Sequence, residues 1–215
     1  MENKPTYKVL TIAGSDPSGG AGIQADIKTI TALSGYAASV ITALTIQNTL
    51  GVTGIFAVPP SVVSEQIASV MEDIAPPSIK IGMVKDAAIV RCIAASIQKY
   101  RTSFIVYDPV MVSTSGHRLI DDDVIEIIQE ELIPQVALIT PNMHEAEVLL
   151  GRKIGSIAEM EAAAMELASR YRIHVLVKGG HLEGDGMCDV LACPDGMVSH
   201  FMDVRIEPRN LHGTG

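Results

Sequence analysis

A glycine-rich turn, Gly14-Ser15-Asp16-Pro17-Ser18-Gly19-Gly20-Ala21-Gly22, follows an apolar run and opens a helix, a setting in which backbone amides can hold an anion. It is not a Walker loop, because Gly20-Ala21 stands where the Lys and Ser/Thr would be, and it lacks the dinucleotide spacing of three glycines. Turns of this kind also occur with nothing bound. Asp26 lies a helical turn beyond Gly22; it either faces a ligand or is a first-turn acid favoured by the helix dipole. Asn142 and Glu145, at i and i+3 of a helix start, put two oxygen-bearing side chains on one side of the turn, as a hard Mg²⁺ ion prefers. The same pair reads as a capping box, and on spacing alone capping is the better account. His144 and Glu147 do not make a His-Glu-x-x-His zinc motif, since position 148 is Val.

Asp108 ends an apolar run before Pro109, which holds it extended; its carboxylate can order a metal or a reacting hydroxyl, or simply serve a turn. Lys178 directly ends another apolar run before Gly179-Gly180 and can neutralise phosphate charge, although most lysines are merely solvated. Gln47, just after a buried run, offers an amide donor and acceptor side by side. That pair matches a flat heterocycle carrying an amine beside a ring nitrogen. Met83 can pack on such a ring through its sulfur, with core filling as the default role for Met. Neither His117, His181 nor His212 is paired with a Ser or Cys at triad spacing, so a hydrolase is unsupported.

The elements that must position these residues alternate between strand and helix. Val9–Ala13 reads as a buried strand, followed by a helix through Ile23, Ile27, Ile30 and Leu33 that Gly35 stops. Ala38–Ile46 and Val52–Val58 are strands joined by a turn around Asn48–Gly51, a hairpin or lid at a sheet edge. Pro59-Pro60-Ser61 opens a helix through Ile67, Val70 and Met71; a strand at Ser78–Gly82 and a helix at Ala87–Ile97 follow. The second half repeats the scheme with strand Phe104–Tyr107, helix Asp121–Leu132, strand Val136–Thr140 and a helix through Val148 and Leu149. Next come helix Ser156–Tyr171, with Ser156 and Glu159 as a capping box, and strand Ile173–Val177. Met187–Cys193 and Met197–Val204 form a closing hairpin around Pro194-Asp195-Gly196. Strands spaced by helices predict an α/β fold, a doubly wound and mainly parallel sheet flanked by helices. Ligands in such folds bind beyond the carboxyl ends of strands, where the candidate residues cluster.

The chain has 215 residues, 47% of them hydrophobic, enough for one domain with a sizeable core and too many for wholesale disorder. Aromatics are 4% with no Trp, so the core is expected to be aliphatic. With 16 basic against 25 acidic residues the formal charge is −9, which repels nucleic acid and anionic membrane. No apolar run is long enough to span a bilayer and Met1–Pro5 is no secretory signal, so the protein is placed in the cytoplasm. Three Cys argue against a disulfide framework, and Cys188 and Cys193 lack the paired spacing of a zinc site.

Taken in order, seven stretches closely resemble one family. They are Thr11–Thr29, Ala43–Asn48, Lys80–Val84, Val106–Leu119, Leu138–Gly151, Val175–Leu182 and Leu211–Gly215. The family is the bacterial hydroxymethylpyrimidine/phosphomethylpyrimidine kinase of thiamine biosynthesis, within the ribokinase-like superfamily. The resemblance implies a single ribokinase-like (Rossmann-like) kinase domain over residues 1–215, phosphorylating a pyrimidine alcohol with ATP and Mg²⁺ and then phosphorylating the resulting monophosphate. It would place the pyrimidine over Gly14 and Ala21, its polar edge on Asp26 and Gln47, and Met83 and Val110 as apolar walls. Asp108, Asn142 and Glu145 would serve Mg²⁺, while Lys178, Asn142 and Thr214 would serve ATP. Gly213-Thr214-Gly215 would be an anion hole for the transferred group, catalytic through its amides. In the family that turn is followed by a Cys, or an Asp in relatives, as general base, so the base and C-terminal helices are expected beyond Gly215 in a longer parent protein. Related pyridoxine and pyridoxal kinases supply the alternative substrate, and a silent pyrimidine sensor is the alternative of another class. A homodimer is expected, with Ala38–Val58 offering an edge.

Overall fold

The computed structural model describes residues 7–111, 120–180 and 186–204. By internal contacts the chain groups into two compact units divided in sequence between Ile105 and Val106.

In the first unit β1 (Lys8–Ser15), β2 (Tyr36–Asn48), β3 (Gly51–Ala57) and β4 (Ser78–Ile81) lie in the order β3-β2-β1-β4. β1 pairs parallel with both β2 and β4, and is buried without interruption from Leu10 to Gly14. That explains why its apolar run does not alternate: a central parallel strand is covered on both faces. α1 (Gly22–Ala32) links β1 to β2 and packs on both, while α2 (Pro60–Asp73) and α3 (Ala87–Tyr100) pack on each other. Asp86 caps α3, its carboxylate accepting from the Ala88 and Ile89 N–H groups at 2.8 and 3.3 Å. The largest fully buried side chains here are Leu10, Ile12, Ile67, Ile81, Ile89 and Ile93.

β2 and β3 form the expected hairpin, antiparallel and at the end of the strand order, but β2 is longer than its apolar run and includes Gln47. Leu33 departs from the helical spacing read for α1. It is the C-cap residue and 77% exposed, because Ser34 turns left-handed (φ 64°) and the Gly35 N–H closes on the Ile30 carbonyl at 2.8 Å.

In the second unit β5 (Phe104–Tyr107, which straddles the division), β6 (Leu138–Ile139) and β7 (His174–Val177) pair parallel, and β8 (Gly186–Ala192) and β9 (Val198–Val204) continue antiparallel. The expected Asp121–Leu132 helix is instead α4 (Asp122–Ile127), a wide π turn over Ile128–Leu132 and a 3₁₀ turn over Ile133–Gln135. Pro134 has no N–H to give an α ladder, and the altered turns keep Ile128, Leu132 and Ile133 fully buried. α5 (Met143–Leu150) and α6 (Ile157–Tyr171) are regular. Ser156 does cap α6, accepting the Glu159 N–H at 3.2 Å, while the Glu159 carboxylate reaches the Gly155 N–H at 2.8 Å. The buried hydrophobic residues are largely aliphatic as expected, with Tyr107, at 0% exposure, the one aromatic among those described. Each unit carries parallel-paired strands with helices and antiparallel strands toward one end, the predicted α/β class.

Candidate active site

The glycine-rich turn is folded around a carboxylate of its own. Asp16 is 2% exposed, and the N–H groups of Ser18, Gly20 and Ala21 donate to it at 2.9, 3.0 and 2.8 Å. The amides that the sequence offered to an external anion are therefore engaged internally. This corrects the anion-binding reading of the loop. Gly22 has φ +56° and packs so tightly on the Gly14 carbonyl that any Cβ would overlap it, so only glycine closes this turn. Gly14 is buried against Met83, whose Cε would lie 2.9 Å from a Cβ at position 14. Two residues predicted for the same ligand are thus brought into contact. Ala21 is half-buried as the N-cap of α1.

Asp26 projects from α1 onto the paired strands β1 and β4. Thr11 and Lys80 are register partners on those strands, and both donate to Asp26 Oδ2, at 2.5 and 2.9 Å. Met83 follows β4, and its carbonyl accepts from Thr42 Oγ1 at 3.0 Å. Gln47 lies inside β2 rather than after it, half-buried, at a register shift where Ile46 opposes Gly54 and Gln47 opposes Val52. It sits on the neighbour of β1, three positions beyond Leu44, the partner of Ser15.

In the second unit Asp108 follows β5, and its Oδ1 accepts from Thr140 Oγ1 at 2.9 Å and from Lys178 Nζ at 3.0 Å. Backbone pairing sets this up. The Thr140 N–H donates to the Tyr107 carbonyl, the Lys178 N–H donates to the Pro141 carbonyl, and Asn142 forms a parallel bridge with Lys178. Val110 is half-buried beside Asp108, its N–H donating to the Asp108 carbonyl at 2.9 Å. Asn142 and Glu145 make the capping box that their spacing favoured. Asn142 Oδ1 accepts the Glu145 N–H at 3.0 Å, and Glu145 Oε2 accepts the Asn142 N–H at 2.8 Å.

Glu145 is 3% exposed, and burial pushes its carboxyl up to about 7, against hydrogen bonds from the Asn142 and Met111 amides and the charge of Lys178. Tyr107 is fully buried, and its hydroxyl has no hydrogen-bond partner among the described residues. Burial, and then the charges of Glu145 and Asp108, drive its pKa far upward. Two carboxylates, an amide oxygen and an orphaned hydroxyl are a hard-oxygen set. Because Asp108 Oδ1, Asn142 Oδ1 and Glu145 Oε2 already serve Thr140, Lys178 and the cap, the set fits a Mg²⁺ ion that keeps its own waters better than one it would strip. Among the described residues no group of acids, His and Cys forms a closed metal cage. Gly213, Thr214 and Gly215, with His117, His181 and His212, lie outside the described residues.

A family model described as phosphomethylpyrimidine kinase matches residues 16–215. The chain belongs to the phosphomethylpyrimidine kinase family. It is thus a phosphotransferase, as its ordered motifs implied. It is 46% identical over 212 residues to the thiamine biosynthesis bifunctional protein ThiED of Geobacter sulfurreducens, covering 98% of this chain and 43% of that protein. It is 41% identical to the hydroxymethylpyrimidine/phosphomethylpyrimidine kinase of Bacillus subtilis, covering 97% of this chain and 77% of the relative. The crystal structure of a phosphomethylpyrimidine kinase from Clostridium difficile 630 superposes with TM-score 0.85 at 42% identity, covering 91% of this chain and 84% of that one. An ADP complex of Bacillus subtilis pyridoxal kinase superposes with TM-score 0.89 at 29% identity, covering 98% and 80%. The fold is thereby the ribokinase-like one shared by these vitamin kinases.

Several partners of the kinase residues were not singled out from sequence. Thr11, Lys80 and Thr140 are ordinary strand residues whose importance appears only when register brings them to Asp26 and Asp108. Asp16 did leave a signal: an Asp followed two residues later by Ser and then by glycines is an Asx-turn pattern.

Proposed function

We propose that this kinase phosphorylates the hydroxymethyl group of 4-amino-5-hydroxymethyl-2-methylpyrimidine with MgATP, and then the monophosphate to the diphosphate, in the thiamine pathway. The observation that carries the assignment of roles is the meeting of Asp108, Thr140, Lys178, Asn142 and Glu145 in one constellation, within a chain of this family. Lys178 would neutralise charge on the ATP phosphates. Asp108, Asn142 and Glu145 would hold Mg²⁺ through its waters, and the ion when bound would offset charge on the phosphate oxygens. Asp26 Oδ1 and Gln47 would read the amino group and ring nitrogen of the pyrimidine, with Gly14, Ala21, Met83 and Val110 as apolar surfaces. The amides of Gly213, Thr214 and Gly215 would stabilise charge on the group in flight. Catalysis of this class rests mostly on positioning and electrostatics.

We further propose a cytoplasmic homodimer. β3 stands at the end of its strand order, and Leu44, Ile46 and Phe56 on the β2–β3 hairpin are 46%, 66% and 65% exposed. Leu44 and Phe56 are direct partners, so they share one apolar face that a second copy would cover.

The test is MgATP-dependent ADP release with hydroxymethylpyrimidine, its monophosphate and pyridoxine offered separately. Turnover of both pyrimidines well above pyridoxine supports the two-step kinase. Turnover of pyridoxine alone would keep the phosphotransferase and overturn the substrate.

A further inference from the structure

Asp16 takes no part in the reaction proposed above, yet its carboxylate is almost fully buried and heavily engaged. Oδ1 accepts from the Ser18 N–H at 2.9 Å and the Ser18 hydroxyl at 2.7 Å, while Oδ2 accepts from the Gly20 N–H at 3.0 Å and the Ala21 N–H at 2.8 Å. Its own backbone is fixed as well: the N–H donates to Gln24 Oε1 at 2.8 Å, and the carbonyl accepts the Gly19 N–H at 2.9 Å. Gln24 Nε2 in turn donates to Ser15 Oγ, and Thr45 Oγ1 on β2 donates to the Ser15 carbonyl, both at 2.8 Å. An isolated carboxylate this buried would be costly, and this one is offset by converging donors and by the start of α1 a few residues on. Charge-assisted bonds of this kind are about twice as strong as neutral ones.

A phosphate brought to the turn would meet amides that are already donating, and a like charge. The turn is thus organised by an internal anion where a phosphate loop is organised by its ligand. Its outward product is the placement of Gly14 against Met83 and of Ala21 at the head of α1.

We propose that Asp16 is a positioning residue for the pyrimidine site: its carboxylate is a built-in anion that holds the Gly14–Gly22 turn in substrate-binding form before substrate arrives. This rests on the assignment of that turn to the pyrimidine. Asp16→Ala empties the nest and leaves its amides without an acceptor. Losing bonds to a charged group of this strength weakens pyrimidine binding by roughly tenfold or more, while MgATP binding stays within about twofold.

The experiment is calorimetric titration of the full chain with hydroxymethylpyrimidine and, separately, with MgATP, in wild type and Asp16→Ala, with and without added formate. Melting temperature serves as the folding control. Formate, a free carboxylate, refills the nest of the variant, restores much of its pyrimidine affinity and leaves wild type unchanged. If Asp16→Ala fails to fold, Asp16→Asn keeps the shape and one acceptor oxygen but turns an amide NH₂ toward the donors. It binds pyrimidine more weakly than wild type and shows no formate response. Folded variants that bind pyrimidine as wild type does would overturn the role of Asp16 alone. Equal losses for pyrimidine and MgATP would overturn it too. A wild type that binds MgATP but no pyrimidine would instead overturn the substrate reading on which the role depends.

Discussion

Lys80 and Thr11, direct partners in the β1–β4 register, converge on the same carboxylate oxygen of Asp26. Oδ2 is held from two sides, at 2.9 Å by the ammonium, which fixes the rotamer and leaves Oδ1 as the acceptor not named in these bonds. A half-buried acid on a helix would otherwise wander. The geometry therefore makes the orientation of Asp26 a property of two strands rather than of its own helix.

Lys80→Met should expose that dependence. Both side chains of the pair are mostly but not fully buried, so the net stability at stake is about 1 kcal/mol and the melting temperature should move by only a few degrees. The KM for hydroxymethylpyrimidine should rise about tenfold with the KM for MgATP unchanged, since one charge-assisted bond to the reading carboxylate is lost. Steady-state kinetics with each substrate varied in turn check this. A parallel rise in both constants would mean that Lys80 supports the fold rather than Asp26.

Gln47 is expected to contribute selectivity. Gln47 sits at the β2–β3 register shift, where regular pairing is interrupted, and such irregularities often re-aim a side chain. Gln47→Ala should weaken pyrimidine binding more than MgATP binding and reduce the preference for pyrimidine over pyridoxine. Equal losses in titrations of the two ligands would contradict the role.

The parts of this molecule that were legible in its sequence are those whose signal is local. The unbroken apolar run of β1, the hairpin around Asn48–Gly51 and the Asn142–Glu145 cap are all readable within a few residues. What was not legible depends on register or on competition. Nothing near Thr140 announces that it will meet Asp108, thirty-two positions away. Free amides in the glycine-rich turn looked like an anion site because the competing anion, Asp16, is inside the same turn. Leu33 fitted the helical spacing, yet the chain left the helix just before it because Ser34 accepted a left-handed conformation.

Thr140→Val keeps nearly the same shape and removes only the hydroxyl that donates to Asp108 Oδ1 at 2.9 Å. Lys178 remains as a donor to the same oxygen, so the carboxylate keeps its charge partner but loses its second restraint. We expect kcat/KM to fall roughly ten- to a hundredfold, the range for one bond to a charged group, together with a higher Mg²⁺ concentration for half-maximal rate. An unchanged Mg²⁺ requirement would detach Asp108 from metal handling.

Glu145 gives the pH prediction. Burial holds its carboxyl near 7 in the folded chain, well above the ordinary value of 4.5, so between those values the folded state keeps a proton that the unfolded state has released. Stability then falls as pH rises from about 4.5 to about 7, and the full cost of the buried charge is present above 7. A tenfold difference in proton affinity between the two states is worth about 1.4 kcal/mol, which puts the total on the order of a few kcal/mol without metal. Glu145→Gln can still accept the Asn142 N–H through its amide oxygen, and it carries no charge. Metal-free Glu145→Gln should therefore melt higher than wild type above pH 7, match it near pH 4.5, and yet lose most Mg²⁺-dependent turnover. Thermal melts across that range, paired with ADP-release assays, test both halves. A variant that melts lower at every pH would show that the carboxylate stabilises the fold, whereas unaltered turnover would remove Glu145 from the metal set.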